Sequence, residues 1–149
     1  MTQTMAILLL FLVVMIAVPV LGRCPPPDYE IRYQKFLRQH YHRGGMSVKD
    51  CNTAMSQRCL NKPCKEMNSF ILDATTNQIQ DVCDKAGTPL GEGNLRQSTQ
   101  PFQVVTCKHS GGSSRPPCQY KGSKSTRYIV IGCDADKFPV HFEEGIIPE

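Results

Sequence analysis

The sequence lacks the cysteine and metal-ligand patterns that would assign it to several common classes. No two of its eight cysteines are separated by two residues, which excludes the C-x-x-C pairs of zinc sites and thioredoxin-like redox motifs. It also lacks internal repeats and low-complexity tracts. No group of residues has the spacing of a metal-ligand set, so we expect neither a metal nor a cofactor.

Charged side chains are absent from the first 22 residues, and residues 5–21 are nearly all apolar. A run of this length lies at the lower limit for crossing a bilayer, so it could anchor the chain in a membrane. Pro19 near its end and Gly22 before Arg23 fit a signal peptide better. We expect cleavage between Gly22 and Arg23, which leaves residues 23–149 as a single secreted domain.

The remaining chain is basic and rich in cysteine. Its formal net charge of +4 lies entirely after residue 22, and it favours polyanions such as nucleic acid, anionic membrane or sulfated glycan without choosing among them. All eight cysteines also lie there, which indicates disulfides formed in an oxidising compartment. The sequence alone does not say which cysteines pair.

Hydrophobic periodicity predicts helices first and strands later. Glycine-rich residues 84–98 are predicted as a surface loop, and residues 122–125 as a turn. Asp28 is a candidate cap for the first helix, and Ser47 for the second. This order is typical of an α+β fold. Helices are predicted at residues 30–41, 47–58 and 75–83, and strands at residues 70–72, 102–108, 117–120, 127–133 and 138–143.

Three separate segments carry residues suited to chemistry: KFLRQH at residues 35–40, CKEMNSF at residues 64–70 and FPVHF at residues 138–142. Taken alone, the second segment favours a solvated lysine beside a disulfide. Together, the three resemble the pancreatic ribonuclease (ribonuclease A) superfamily, in which two histidines from opposite ends of the chain flank one lysine. The resemblance implies three short N-terminal helices packed on a curved antiparallel β-sheet and stapled by disulfides.

The resemblance implies cleavage of RNA by its own 2′-hydroxyl, without metal. His40 would remove the 2′ proton, His141 would protonate the departing 5′ oxygen, and the two would exchange roles when the 2′,3′-cyclic phosphate is hydrolysed. Two imidazoles suit this work because their ordinary pKa is near 6.5. Lys65 would stabilise the charged phosphorane. Phosphate contacts would come from Gln39, the backbone N–H of Phe142, Lys35 and Arg38.

The resemblance also implies a base site at Asn68 and Ser69. The family usually has threonine where Ser69 stands, and one hydroxyl that both donates and accepts suits uracil and cytosine. Glu143 stands where the family usually has the aspartate that orients the acid imidazole. Angiogenin has a glutamine that obstructs the base pocket at the position of Glu144. An acid there could obstruct the pocket, repel RNA or point away.

Three disulfides are implied by the resemblance: Cys51–Cys107, Cys64–Cys118 and Cys83–Cys133. Cys24 and Cys59 remain, and neither matches the fourth bridge of the pancreatic enzymes. We predict that they form a disulfide with each other and pin the first helix, with His40, against the body of the fold. The alternative is that Cys24 stays free or pairs between molecules.

Several features favour the angiogenin branch. The loop at residues 85–94 has no cysteine, and the segments 94–96, 102–108, 116–120 and 142–149 look more like angiogenin than like the digestive enzyme. Two features of that branch are missing. Arg58 stands alone in place of an arginine cluster used for nuclear entry, and residues 86–92 replace the cell-binding loop.

The remaining histidines and cations match no catalytic position. We interpret His42 and His109 as surface residues. Lys121, Lys124 and Arg127 are interpreted as solvated charges that could also extend a polyanion track.

The sequence therefore predicts a secreted, metal-independent endoribonuclease that cleaves RNA 3′ of pyrimidines. One alternative is a cationic host-defence protein that disrupts bacterial membranes, and another is an angiogenin-like signalling ligand with weak catalysis. RNA is the expected partner of a monomer. Other candidate partners are bacterial membranes, cell-surface polyanions and a ribonuclease inhibitor.

Overall fold

The fold is taken from a computed structural model that describes residues 24–148. The expected signal peptide, residues 1–22, and its cleavage site lie outside the described residues. Within residues 24–148, no helix is long and apolar enough to cross a membrane.

The first helix, α1, spans Arg32–His40, and it begins too far along the chain for Asp28 to cap it as predicted. Ile31 occupies the N-cap position, and no side chain caps the helix there. The prediction that Asp28 caps it is wrong, because the N–H of Glu30 bonds the carbonyl of Pro27 at 3.1 Å and closes a turn around Asp28. The helix therefore starts after this turn.

The second helical segment has the cap that its sequence predicts. Ser47 accepts a hydrogen bond from the N–H of Lys49, and the Asp50 carboxylate accepts one from the N–H of Ser47 at 2.9 Å. This reciprocal cap opens a 3₁₀ turn, Val48–Asp50, that continues directly into α2, Cys51–Gln57.

The third helix, α3, spans Thr76–Asp81 and uses the same kind of reciprocal cap. Thr75 accepts from the N–H of Gln78 at 3.1 Å, and the side chain of Gln78 accepts from the N–H of Thr75 at 2.9 Å. Ile79 is its fully buried residue. The helix thus faces the core with a single apolar position.

Strands form two antiparallel sheets, with orders β1-β4-β5 and β2-β3-β6-β7. The α+β class and the packing of short helices on antiparallel strands are thereby confirmed. The strands are β1 Met67–Leu72, β2 Gly87–Pro89, β3 Leu95–Ser98, β4 Phe102–His109, β5 Tyr120–Arg127, β6 Val130–Cys133 and β7 Pro139–Phe142.

The fifth strand corrects the prediction of a turn at residues 122–125. Every residue of β5 pairs with β4, from His109 opposite Tyr120 to Phe102 opposite Arg127. Gly122 is needed in this strand, because a Cβ there would lie 2.4 Å from the carbonyl oxygen of Val48. The predicted strands at residues 117–120 and 127–133 are consequently wrong in their bounds.

The predicted surface loop at residues 84–98 also contains strands. Gly87 pairs with Ser98 and Pro89 with Arg96, so β2 and β3 form a hairpin. This hairpin joins β6 through β3 and extends the second sheet. Gly91 and Gly93 lie between the two strands, whereas Gly87 is the first residue of β2.

Two apolar clusters fill the interior. The first joins α1, α3 and both sheets, and the second packs α2 against the first sheet. The first contains Phe36, Ile71, Ile79, Val82, Val104, Ile129, Ile131 and Phe142, and the second contains Met55, Leu60, Phe70, Leu72 and Val105. Burying both faces of β1 in this way fixes the strand that follows Lys65.

Four disulfides connect these layers, and residues 24–148 contain no free cysteine. One bridge ties the chain ahead of α1 to the residue after Arg58. The other three tie α2, the segment before β1 and the end of α3 to β-strands or their approaches. The pairs are Cys24–Cys59, Cys51–Cys107, Cys64–Cys118 and Cys83–Cys133.

Candidate active site

His40 is the last residue of α1 and is buried, with 4% of its surface exposed. Its ring lies between Phe36 and Phe142, whose ring centroids are 5.4 and 5.2 Å away. Nδ1 lies 2.9 Å from the carbonyl oxygen of Ser69. A carbonyl only accepts, so Nδ1 carries the proton and Nε2 has the lone pair.

Burial, with smaller contributions from the nearby Lys65 and His141, lowers the pKa of His40 to about 3, against the raising effect of the hydrogen bond to the Ser69 carbonyl. Loss of hydration disfavours the charged imidazolium. The imidazole is therefore neutral at physiological pH and able to accept a proton at Nε2.

Lys65 is held at its backbone and at its charged end. Its N–H bonds the carbonyl of Leu60 at 3.0 Å, and its carbonyl accepts from the Tyr120 hydroxyl at 2.8 Å. Its Nζ donates to Oδ1 of Asn68 at 2.7 Å, and Asn68 donates in turn to the Gln39 carbonyl. Burial lowers the pKa of Lys65, while the negative charge of Glu144 acts in the opposite direction.

His141 lies on β7 and is far more exposed than His40, with 54% of its side chain accessible. Its Nε2 lies 3.2 Å from Oε2 of Glu143. The hydrogen bond from His141 holds the pKa of Glu143 below its usual value, so the carboxylate is ionised and accepts from Nε2. Nδ1 of His141 is the nitrogen left for another partner.

The backbone N–H of Phe142 points away from β6. Glu143 donates its N–H to Val130 at 2.9 Å, so the neighbouring pair of Ile131 and Phe142 is of the non-hydrogen-bonded type. Since β7 is the edge strand of its sheet, this N–H faces the outer side.

These groups line one cleft of about 460 Å³. Arg38 is not among its lining residues, because its guanidinium bonds both carboxylate oxygens of Glu30, at 2.8 and 3.0 Å, and the carbonyl of Arg58. The lining comprises Arg32, Lys35, Gln39, His40, Lys65, Val140, His141, Phe142, Glu143 and Glu144.

Ser69 lies on β1 beside this cleft, and Glu144 occupies its hydrogen-bonding groups. The Glu144 carboxylate accepts from both the N–H and the hydroxyl of Ser69, each at 2.6 Å. The same hydroxyl lies 2.8 Å from Oγ1 of Thr106 and accepts from Arg127 at 3.1 Å. Of the alternatives that the sequence left open for Glu144, the structure excludes the one in which it points away, because the carboxylate caps the hydrogen-bonding groups of Ser69.

A family model described as pancreatic ribonuclease matches residues 31–143. The chain belongs to the pancreatic ribonuclease family. The relatives place this ribonuclease in the angiogenin-like branch. It is 45% identical to angiogenin-4 of Mus musculus over 143 residues, which cover 95% of this chain and 94% of that protein. It is 51% identical to angiogenin-3 of Mus musculus over 118 residues, covering 78% of this chain and 79% of that one.

Solved structures agree with the fold of this ribonuclease. Green turtle egg white ribonuclease is 43% identical, with a TM-score of 0.73, and the match covers 78% of this chain and all of that one. Zebrafish RNase5 is 53% identical, with a TM-score of 0.70, and the match covers 80% of this chain and 98% of that one.

Sequence reasoning missed three residues around the cleft of this ribonuclease. Thr106 lies opposite Ser69 in the β1–β4 register, which a correct strand pairing would have revealed. Arg127 is half-buried, donates to the Ser69 hydroxyl and lies 5.7 Å from the centre of the Phe142 ring, so it is not a solvated charge. Arg32 is one helical turn from Lys35, and this spacing could have indicated it.

The interpretation of His42 and His109 as surface residues is also wrong. His109 is 8% exposed, its ring lies 5.6 Å from that of Tyr120, and Nδ1 is 3.9 Å from Glu66. His42 is half-buried with its ring edge against Phe70. Both are packing residues outside the cleft.

Proposed function

We propose that this ribonuclease is secreted and cleaves RNA on the 3′ side of pyrimidines, through a 2′,3′-cyclic phosphate and without metal. The observation that carries the proposal is the pair of oppositely arranged imidazoles. His40 donates from Nδ1 to a main-chain carbonyl and keeps a lone pair at Nε2, while His141 donates from Nε2 to a carboxylate. One is prepared to accept a proton and the other to deliver one from Nδ1.

In the first step, Nε2 of His40 removes the proton of the 2′-hydroxyl, whose oxygen attacks the phosphorus. Nδ1 of protonated His141 then gives its proton to the departing 5′ oxygen, which leaves a cyclic phosphate. In the second step the roles exchange, so that His141 activates water and His40 returns the proton to the 2′ oxygen. Glu143 keeps the His141 ring oriented for both steps.

The ammonium of Lys65 stabilises the negative charge that develops on the phosphorane. Its bond to Asn68 fixes its position before substrate arrives, and fixed charge costs no reorganisation during the reaction. Gln39 and the backbone N–H of Phe142 hold the non-bridging oxygens. Lys35 binds an adjacent phosphate.

The base site consists of the N–H and hydroxyl of Ser69, with Asn68 beside them. Glu144 holds both Ser69 groups in the resting structure, so a pyrimidine must displace this carboxylate before it can bind. We therefore propose that catalysis is weak compared with a ribonuclease whose base site is open. Arg38 does not line the cleft, and three of its five N–H groups bond Glu30 and the Arg58 carbonyl, so we assign the adjacent phosphate to Lys35 rather than to Arg38.

The test is cleavage of a dinucleotide series by the protein secreted from the full-length chain, with and without EDTA. Pyrimidine dinucleotides should be cleaved with a cyclic-phosphate intermediate, and EDTA should leave the rate unchanged. A His141→Ala protein purified in parallel controls for contaminating ribonuclease. Equal cleavage by the two proteins, or inhibition by EDTA, would contradict the proposal.

A second candidate function is a signalling ligand of the angiogenin type with weak catalysis. It is favoured by the closed base pocket together with the angiogenin relatives. For this second function, the candidate partners are again a ribonuclease inhibitor and cell-surface polyanions. A His141→Ala protein that no longer cleaves RNA but still stimulates cells fully would favour the signalling ligand. If the variant loses both activities, the result would favour the enzyme.

A further inference from the structure

The end of α2 contacts the carboxyl end of the helix that carries His40 and the chain that leads into it. Arg58 follows the last residue of α2 and is half-buried. Cys59, the next residue, has a left-handed backbone (φ 63°) and is bridged to Cys24, in the segment ahead of α1. Two consecutive residues therefore hold the carboxyl end of one nine-residue helix and the segment that precedes it.

The Arg58 side chain closes the carboxyl end of α1. Its Nη1 lies within hydrogen-bond distance of three carbonyl oxygens, those of Leu37 at 3.4 Å, Arg38 at 2.9 Å and Tyr41 at 2.8 Å. The last carbonyls of a helix have no partner within it, and a cation there also opposes the helix dipole. Arg58 is thus directed inward, and it is not displayed to solvent as a nuclear-entry motif requires.

The neighbouring carbonyls complete this end of the helix around His40. The Gln39 carbonyl accepts from the amide of Asn68 at 2.8 Å, so side chains fix the backbone immediately before and after the histidine. The contact is also reciprocal, because Arg38 donates to the Arg58 carbonyl at 2.5 Å. Glu30 neutralises Arg38 and makes the approach of two guanidinium groups tolerable.

We propose that Arg58 is a positioning residue for His40, and that Arg58 and Cys59 together form a clamp that keeps α1 docked in its catalytic register. This inference rests on the proposed role of His40 as the base. The clamp acts through the helix and touches neither RNA nor the reacting atoms. Its effect is to keep Nε2 of His40 at the cleft, where a displacement of about 1 Å can cost on the order of 100-fold in rate.

Arg96 provides a matched control for the guanidinium. It also donates to three backbone carbonyls, those of Val82, Asp84 and Gly87, at the end of α3. Arg58→Met and Arg96→Met therefore each remove one half-buried guanidinium that bonds three carbonyls. Only Arg58 does so on the helix that carries His40.

The first experiment compares the kinetics of both variants, at a temperature where each is folded by circular dichroism. Arg58→Met should lose about 10- to 100-fold in kcat with little change in KM, because geometry rather than binding is lost. Arg58→Lys, which keeps the charge and part of the donor set, should recover part of this loss. Arg96→Met should change kcat by less than about twofold. An equal loss in the two methionine variants would overturn the proposal.

The second experiment follows His40 by NMR and does not depend on activity. Wild-type His40 should resist protonation well below pH 6.5, because its site is buried. In Arg58→Met its titration should move upward towards 6.5, and in Arg96→Met it should not. The charged groups facing His40, namely Lys65, His141 and Glu144, are the same in all variants. An unchanged titration in Arg58→Met overturns the clamp, whereas an inactive wild type would instead overturn the proposed function.

The double variant Cys24→Ser/Cys59→Ser separates the contribution of the disulfide from that of Arg58, and it leaves no unpaired thiol. Removing the bridge alone should reduce kcat by less than about tenfold, since Arg58 still holds the helix. Combined with Arg58→Met, the loss should exceed the product of the separate losses, because both the carboxyl end of α1 and the segment ahead of it are then released. A loss equal to that product would remove Cys59 from the clamp.

Discussion

His40 and His141 have paired tasks in the proposed mechanism, yet the protein holds them in opposite ways. His40 is 4% exposed, packed between two aromatic rings and bonded to a main-chain carbonyl. The side chain of His141 is 54% exposed and bonded to a single carboxylate. The core therefore fixes the proposed base, whereas strand register and one surface contact fix the proposed acid. Changes in the core should disturb only the first, and changes at the surface only the second.

Replacing either histidine by alanine tests the shared task. His40→Ala and His141→Ala should each reduce kcat/KM by about 10²–10⁴-fold, the usual range for general acid–base groups. Stability should separate them. His40→Ala leaves a space in packed surroundings and lowers the free energy of unfolding, whereas His141→Ala should change it by less than about 0.5 kcal/mol. Full activity in His40→Ala would refute its assignment as the base.

Lys65 should matter almost as much, through charge alone. Lys65→Ala should reduce kcat by about 10²–10³-fold, as removal of a fixed charge-stabilising donor does elsewhere. Lys62→Ala, on the exposed turn before it, is the control and should keep full activity. Single-turnover measurements would distinguish a loss of chemistry from slow product release. A small effect at Lys65 would mean that another cation stabilises the phosphorane.

Opening the base pocket should have the opposite sign. Glu144→Ala frees the N–H and hydroxyl of Ser69 and should raise kcat/KM on pyrimidine dinucleotides by roughly 10- to 100-fold, given the usual strength of hydrogen bonds to a charged group. The matched change at the adjacent carboxylate, Glu143→Ala, should not raise activity. Decreased cleavage by Glu144→Ala would mean that this carboxylate assists the substrate.

The pH dependence should show the difference between the two imidazoles. Because burial lowers the pKa of His40 to about 3, kcat/KM should not decrease as the pH is lowered through 6.5. Stability has its own window. Unfolded His40 binds a proton near pH 6.5 and folded His40 only near 3, so the free energy of unfolding should decrease as pH falls between these values. When the free energy of unfolding is measured by denaturant titration at several pH values in this interval, it should change less steeply with pH for His40→Ala than for His141→Ala.

The smallest effect is expected at the support of the exposed histidine. Glu143→Gln keeps a hydrogen-bond acceptor for Nε2 of His141 and removes the charge. Since exposed charge pairs contribute about 0.2–1 kcal/mol, kcat/KM should fall by less than about fivefold. A much larger loss, measured on the same dinucleotides, would show that this carboxylate does more than orient the ring.

The helix of His40 can be predicted from the sequence, but the contact of Glu144 with Ser69 cannot. Phe36 and His40 share a helical face, and this local spacing survives in the fold. The strand Tyr120–Arg127 could not be predicted, because its small, polar residues resemble a loop and only pairing with β4 makes it extended. Glu144 reaches Ser69 across 75 positions of sequence, and this contact depends on the turn that follows β7. The pairing register of strands that are distant in sequence, unlike the spacing of residues along a helix, cannot be predicted from neighbouring residues.

The position of Glu144 also determines how ligands compete for the cleft. In the proposed mechanism, a pyrimidine nucleotide would bind only the fraction of molecules in which the carboxylate has moved away from Ser69, so its apparent dissociation constant would be its intrinsic one divided by that fraction. The factor would be the same for uridine and cytidine nucleotides and would leave their relative affinities unchanged. Inorganic phosphate does not need Ser69, but it would meet the negative charge of Glu144, which lines the same cleft and lies 4.0 Å from Nδ1 of His40. Glu144 would therefore oppose a nucleotide by both competition and charge, and phosphate by charge alone.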